Sequence, residues 1–415
     1  MNHKLRHSRV AEGMPTERTI LYLFIVTLIV VVGYDVLLAG SQEPYLFGLI
    51  SDDKTHLREE RAAGVGAKVF RLSWREYYPR EGEKDYAYLQ RKKEEIEQLR
   101  EAGFEIILSL GFHDIPPWVH ENYEDTYYIN QLGERYTGDT FANGTPIDNG
   151  DANLVFNEEL RSLVESYMED VFSECGTNFY AVRLGGGRYG ELTYPPADYE
   201  DQSNLYWAYD KNAQNSASGA AVSGWRPGNL SPNSEAKRFL NWYLSALVDF
   251  QNWQVKGLRD AGYAGRAMVL YPSWGIRPGQ IKEAVATNLN GSTPAERNGE
   301  IQRGLAFAQQ VRSITDERVV LTTTWLDADA SGDAGENRRY WSPVKYLAEL
   351  ADEHPSSLEL YGENTGKGDR AAMELSASQM RRYRLTGMGW YREEELFSGR
   401  YANLQDYEWI IQTLQ

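Results

Sequence analysis

Short runs rich in Val, Ile, Leu and aromatic residues recur along the chain at Tyr45–Ile50, Lys68–Ser73, Glu105–Leu110, Tyr180–Leu184, Ala267–Tyr271, Val319–Thr324, Leu358–Tyr361 and Leu385–Trp390. Their length and composition predict eight strands. Between them apolar positions return at helical spacing. Leu89, Ile96 and Leu99 share one face of Tyr86–Ala102, and Glu158–Ser173, Ser234–Ala261, Glu300–Ile314 and Pro343–Glu353 read the same way. Gly64, Gly103, Gly176 and Gly262 fall just past helix ends, where a left-handed cap is needed, and the next strand starts within a few residues.

The links differ by side. Helix-to-strand links are short, whereas residues 111–157 and 185–233 separate the third and fourth strands from their helices, with further excess after the fifth and sixth. In a (β/α)8 TIM barrel the strand-to-helix links build the face that carries the active site. The asymmetry therefore predicts an α/β chain forming a single barrel with an elaborated catalytic rim. A doubly wound open sheet is the alternative, but the chain lacks a composition break or a Pro/Gly/Ser linker, which favours closure. Residues 211–224, rich in Asn, Ser, Ala and Gly, read as a loop insert.

Upstream of the first strand the pattern changes. Residues 1–18 carry Lys4, Arg6, Arg9 and Arg18 against Glu12 and Glu17, and an apolar run from Thr19 to Ala39 follows, broken only by Gly33, Tyr34 and Asp35. A basic flank before such a run predicts a cytoplasmic start and transport of the remainder across a membrane. The run suits either a signal peptide or a spanning signal anchor, and no A-x-A pattern stands at Leu38-Ala39-Gly40. The expected organisation is a cytoplasmic flank (1–18), a signal peptide or transmembrane anchor (19–40) and an extracytoplasmic barrel (41–415), secreted or membrane-anchored.

Composition narrows the chemistry. The 415 residues hold 60 acidic and 43 basic side chains, a net charge of −17, which argues against nucleic acid as a partner. The one cysteine, Cys175, rules out an internal disulfide and a thiolate zinc site. The histidines include no H-E-x-x-H, and His113 with His120 is no recognised metal pair, so neither metal nor other cofactor is expected. Gly185–Gly190 satisfies G-x-G-x-x-G literally, but Tyr194-Pro195-Pro196 stands where a dinucleotide site needs a helix. No G-x-S-x-G elbow is present, Gly366-Lys367-Gly368-Asp369 lacks the spacing of a phosphate loop, and Glu393–Glu395 reads as a solvated rim. Nothing in the pattern sets an oligomeric state.

At or just after the strand ends stand Arg71, Trp74, His113, Trp118, Tyr189, Glu191, Tyr271, Trp274, Trp325, Asp327, Glu363, Asn364 and Trp390. Sugars present apolar ring faces that stack on Trp and Tyr, and hydroxyl edges that ask for Asp, Glu, Asn, Arg and His, so the set predicts a carbohydrate substrate. Each aromatic taken singly has an equal claim to the core. Two carboxylates matter most: Glu191 in Gly185-Gly186-Gly187-Arg188-Tyr189-Gly190-Glu191, and Glu363 in Leu360-Tyr361-Gly362-Glu363-Asn364. Glycosidic cleavage needs one carboxyl to protonate the leaving oxygen and a second to attack the anomeric carbon or activate water. Small residues beside both leave room for a ligand. The alternative is that Glu191 is a solvated loop residue and that Glu363 caps or pairs with Arg370.

Resemblance sharpens this. Arg71-Leu72-Ser73-Trp74, Pro79 with Glu81 and Gly82, Asp85-Tyr86-Ala87-Tyr88-Leu89, and Leu108 with Pro116-Pro117-Trp118 resemble the amino-terminal half of the barrel β-galactosidases of glycoside hydrolase family forty-two. Residues 187–195 resemble the strand-four motif of β-amylase, in which the Glu is the general acid. The resemblance implies that role for Glu191 and, on strand seven, a partner role for Glu363. One departure stands out: barrel-clan galactosidases carry Asn just before the acid, whereas this chain has Gly190. The rival expectation is a non-catalytic carbohydrate-binding or cell-surface protein on a degenerate glycosidase barrel.

Overall fold

A computed structural model describes residues 45–139, 150–292, 299–366 and 368–415. Eight strands run in chain order: β1 (Leu46–Leu49), β2 (Ala67–Arg71), β3 (Glu105–Ser109), β4 (Ala181–Leu184), β5 (Arg266–Tyr271), β6 (Val319–Thr323), β7 (Glu359–Glu363) and β8 (Gly387–Trp390). Each pairs parallel with the next, and β8 pairs back onto β1, Leu46 opposite Gly387 and Leu49 opposite Trp390, so the sheet closes into the barrel expected.

Side chains alternate across a strand, and closure turns that alternation into an inside and an outside. Ala67 and Val69, Ile107, Ala181, Met268, Val320 and Tyr361 point inward and form their own apolar cluster. The intervening residues, among them Phe70, Leu108, Val182, Val269, Leu321, Leu360 and Met388, face the surrounding helices in the larger core. Residues two places beyond the inner cluster therefore reach the carboxyl-terminal mouth on the same inner face. They are Arg71 on β2, Arg183 on β4 and Glu363 on β7.

The helices follow their sequence signals. Asp85 caps the helix Tyr86–Glu101 by accepting from Tyr88 N, and Leu89, Ile96 and Leu99 are all buried. Asn157 caps Glu158–Cys175 in the same way, and Ser342 precedes Pro343–Glu353. The four cap glycines all take positive φ. One element is shorter than predicted. Of Glu300–Ile314, only Phe307–Arg312 is helical. Gly304 sits at φ 74° with no room for a Cβ beside Tyr194 and Leu247, so the chain turns there before the helix starts.

Among the described residues no helix is long and apolar enough to cross a membrane. The segment predicted as signal peptide or anchor, residues 19–40, and its basic flank lie outside the described residues.

Candidate active site

The strand-to-helix loops enclose a cavity of about 1740 Å³ at the barrel mouth, and both Glu191 and Glu363 line it. Glu363 is the last residue of β7, and its backbone carbonyl accepts from Leu326 N at 2.8 Å. Glu191 ends a tight loop after β4, where Gly187 N donates to its carbonyl at 2.9 Å and Leu192 N bonds Leu270 O of β5 at 3.0 Å. The loop folds back so closely that a Cβ on Gly185 would stand 2.1 Å from Gly190 O. Gly190 itself takes φ 76° with the His113 ring 3.1 Å from where its Cβ would be. His113 thus fills the space beside the acid, which accounts sterically for glycine at the position where the resembling galactosidases carry Asn.

The two carboxyls differ in company. Arg183 Nη2 donates to Glu363 Oε2 at 2.8 Å. Glu191 Oε1 accepts from the Thr324 hydroxyl at 2.7 Å, and Arg303 Nη2 lies 3.8 Å from its Oε2. Burial holds both above the usual carboxylate range. For Glu191 the Arg303 charge, the Thr324 hydroxyl and the more distant Arg183 and Arg188 pull the other way; for Glu363 Arg183 does, while the Glu191 charge pushes it further up. Both carboxyls line the same cavity. His113 is driven down to about 4, mainly by burial and then by Arg71, so near neutrality it is an uncharged imidazole. Among the described residues no group of three His, Cys, Asp or Glu is placed to hold a metal ion.

Arg71, His113, Tyr189, Trp325 and Asn364 also line the cavity, and Trp274 stands behind Trp325 in an edge-to-face contact at 6.4 Å. The other sites expected from sequence lie elsewhere. Tyr271 and Trp390 fall on the outward phase of β5 and β8. Tyr271 packs on Phe307 and donates to Gln251 at 2.8 Å, and Trp390 packs on Tyr407. Trp74 and Trp118 pack edge to face on one another behind the mouth, with Trp118 Nε1 donating to Tyr78 O at 2.8 Å. Asp327 is buried and ties two loops together by accepting from Thr365 N and Oγ1. None of these five lines the cavity. Asn364 lines the cavity yet is partly engaged, accepting from Tyr391 N at 2.6 Å.

Sequence reasoning missed Arg183, Thr324, Arg303 and Tyr391, all of which line the cavity. Strand parity could have found Arg183, two residues past the inward Ala181, and Thr324, four residues past the inward Val320 and just beyond β6. Arg303 and Tyr391 stand in loops and leave no periodic signal.

No family profile and no curated sequence matches the chain. Solved structures do. The chain superposes on the catalytic domain of β-amylase from Paenibacillus polymyxa with a TM-score of 0.64 and 16% identity, covering 89% of this chain and 98% of that one. It superposes on the β-galactosidase of the psychrophilic Marinomonas ef1 with a TM-score of 0.53 and 12% identity, over 88% of this chain and 59% of that one. For the β-galactosidase of Bacillus circulans sp. alkalophilus the values are 0.53 and 11%, over 91% and 56%. The fold is therefore one shared with the β-amylase catalytic domain and these β-galactosidases.

Proposed function

We propose that the chain is a glycoside hydrolase that cleaves an O-glycosidic bond of an oligo- or polysaccharide with two carboxyl groups. The observation that carries this is the convergence of Glu191 and Glu363 on one large polar cavity at the carboxyl-terminal mouth of the barrel. Glu191, whose carboxyl is raised by burial against the opposing pull of Arg303 and the Thr324 hydroxyl, holds a proton more readily than a solvated glutamate and serves as the acid that protonates the leaving oxygen. Glu363, whose ion pair with Arg183 opposes the rise that burial imposes, is the carboxylate that attacks the anomeric carbon or draws a proton from the attacking water. Tyr189 and Tyr391, 59% and 48% exposed on two rims of the cavity, offer ring faces to sugars. The extracytoplasmic placement rests on the basic flank and apolar run of residues 1–40 alone.

The test is a panel of nitrophenyl glycosides and polysaccharides assayed for turnover and, in parallel, for binding. Release of sugar from at least one member supports the hydrolase. Binding without turnover across the panel transfers the site to the rival reading, a carbohydrate-binding protein on an inactive barrel.

A further inference from the structure

Trp409, 45% exposed, is the one exposed tryptophan among the described residues; the others are buried or half-buried. It belongs to a row of rings. Gly366, Gly368 and Arg370, alternate residues of the link that follows β7, each lie against an exposed aromatic. A Cβ on Gly366 would stand 3.2 Å from Tyr391 Cδ1, and one on Gly368 would stand 3.4 Å from Tyr401 Cδ2. The Arg370 guanidinium lies 4.9 Å from the centre of the Trp409 ring. These contacts are spread over four residues, about 14 Å at full stretch, which is the scale of a short oligosaccharide. Tyr391 lines the cavity, and Tyr401, 53% exposed, and Trp409 stand outside it.

The row is tied in place. Arg392 Nε donates to Gly366 O at 3.1 Å, Ala402 N to Gly368 O at 2.8 Å, and Arg370 Nη1 to Asp406 Oδ1 at 2.7 Å. The link after β7, the loop after β8 and the helix Leu404–Leu414 are thus joined beneath the rings. An arginine lies over each ring, Arg392 at 5.4 Å, Arg400 at 5.2 Å and Arg370 at 4.9 Å, and about half of each aromatic residue is still open. Large rings left in water forfeit the gain of burial, so three beside one link mark a surface that a ligand covers. The exposed large aliphatics of the described residues, Leu132 and Leu230, belong instead to the loops after β3 and β4. Rings set among guanidinium and carboxylate groups suit a sugar chain, whose faces stack and whose hydroxyls bond to charged edges. We propose that Tyr391, Tyr401 and Trp409 form an outer glycan-binding track, and that the substrate is a polysaccharide whose chain leaves the cavity over the rim between β7 and β8. This rests on reading the cavity as a carbohydrate site, since Tyr391 joins the track to it and so names the occupant.

The test uses the full chain carrying Glu191→Gln, so that binding is read without cleavage. Affinity electrophoresis is run in starch, β-1,4-galactan and mixed-linkage β-glucan, with calorimetric titration of the disaccharide and hexasaccharide of each. At least one polymer is expected to retard the chain, and its hexasaccharide to bind more tightly than its disaccharide. Tyr401→Ala and Trp409→Ala should each weaken polymer and hexasaccharide by about twofold to tenfold and the disaccharide by far less. Tyr401→Phe and Trp409→Phe, which keep a ring, should retain most of the affinity, and thermal denaturation checks that each variant is folded. Equal affinity for disaccharide and hexasaccharide, retardation by no polymer, or alanine variants that bind the polymer as their parent does overturns the proposal. So does self-association that Trp409→Ala abolishes while glycan binding stays unchanged, which would assign the rings to a second copy of the chain. The hydrolase reading is judged separately, on turnover by the wild-type chain: one that binds a polymer through the track and cleaves none loses that reading and keeps the track.

Discussion

Arg183 and Glu363 lie 180 residues apart in the chain, and their side chains meet in a 2.8 Å ion pair across the barrel mouth. Both are the next inward residue beyond the apolar floor, above Ala181 and Tyr361. The pair sets the charge of one of the two carboxyls on which the proposed chemistry depends.

Replacing Arg183 by Met leaves the Glu363 carboxylate buried without its counter-ion, at a cost of about 3 to 5 kcal/mol. Burial already raises the Glu363 carboxyl, and the arginine is what opposes the rise. The ionised form is the active one, so the rising limb of the pH–rate profile should move to higher pH. The loss of kcat/KM should then be largest on the acid side and smallest where Glu363 is fully ionised. An unmoved acid limb would count against Glu363 as base or nucleophile.

Glu191→Gln and Glu363→Gln should each lower kcat by about a hundredfold to ten-thousandfold with the fold and ligand affinity largely kept, since shape is preserved and proton transfer or attack is lost. Single-turnover kinetics on an activated nitrophenyl glycoside refine the roles. A good leaving group needs little protonation, so it should partly rescue Glu191→Gln and leave Glu363→Gln inactive.

Gly190→Ala places a Cβ at φ 76° and 3.1 Å from the His113 ring. The backbone strain is about 1 to 2 kcal/mol, and Glu191 is the next residue, so its carboxyl moves. Turnover should fall by about tenfold or more, out of proportion to a modest drop in melting temperature. A variant with unchanged kcat would show that the acid tolerates displacement.

Trp390 and Tyr391 are neighbours with opposite surroundings. Trp390 is 1% exposed against Tyr407, whereas Tyr391 is 48% exposed and lines the cavity. Trp390→Ala should cost about 3 to 5 kcal/mol of stability. Tyr391→Ala should raise KM with little change in stability. Chemical denaturation and steady-state kinetics on the two variants separate the effects.

Lys68 on β2 points outward and is fully buried between Glu60, at 3.0 Å, and Glu393, at 2.9 Å. Burial and the adjacent Glu393 push the Glu60 carboxyl from 4.5 up to about 8, so it is protonated in the folded chain near neutrality. A raised folded value means that its contribution to stability is complete below 4.5 and is lost as pH rises through about 8. Melting temperature should fall across that window, and Glu60→Gln should flatten the fall. Lys68→Met removes the buried counter-ion of these acids and should destabilise strongly.

The order and kind of the elements were written in the chain, because each strand and helix announces itself by local periodicity and by the glycine or polar residue that ends it. The eight strand runs, the caps at Gly64, Gly103, Gly176 and Gly262, and the excess length after β3 and β4 needed no partner to be read. The same holds for the two glutamates with small neighbours. Which face of each strand turns inward was decided by closure. A period of two separates Tyr271 from Leu270 and Trp390 from Gly389, but only the paired barrel makes one phase the cavity and the other the helix-facing core. That is why Trp390 looked like a sugar contact and packs on Tyr407 instead, while Arg183, an apparent anomaly inside β4, is the partner of Glu363. Arg303 and Tyr391 come from loops far apart in the chain. Their meeting at the mouth is a property of distance in space, which no local pattern of residues encodes.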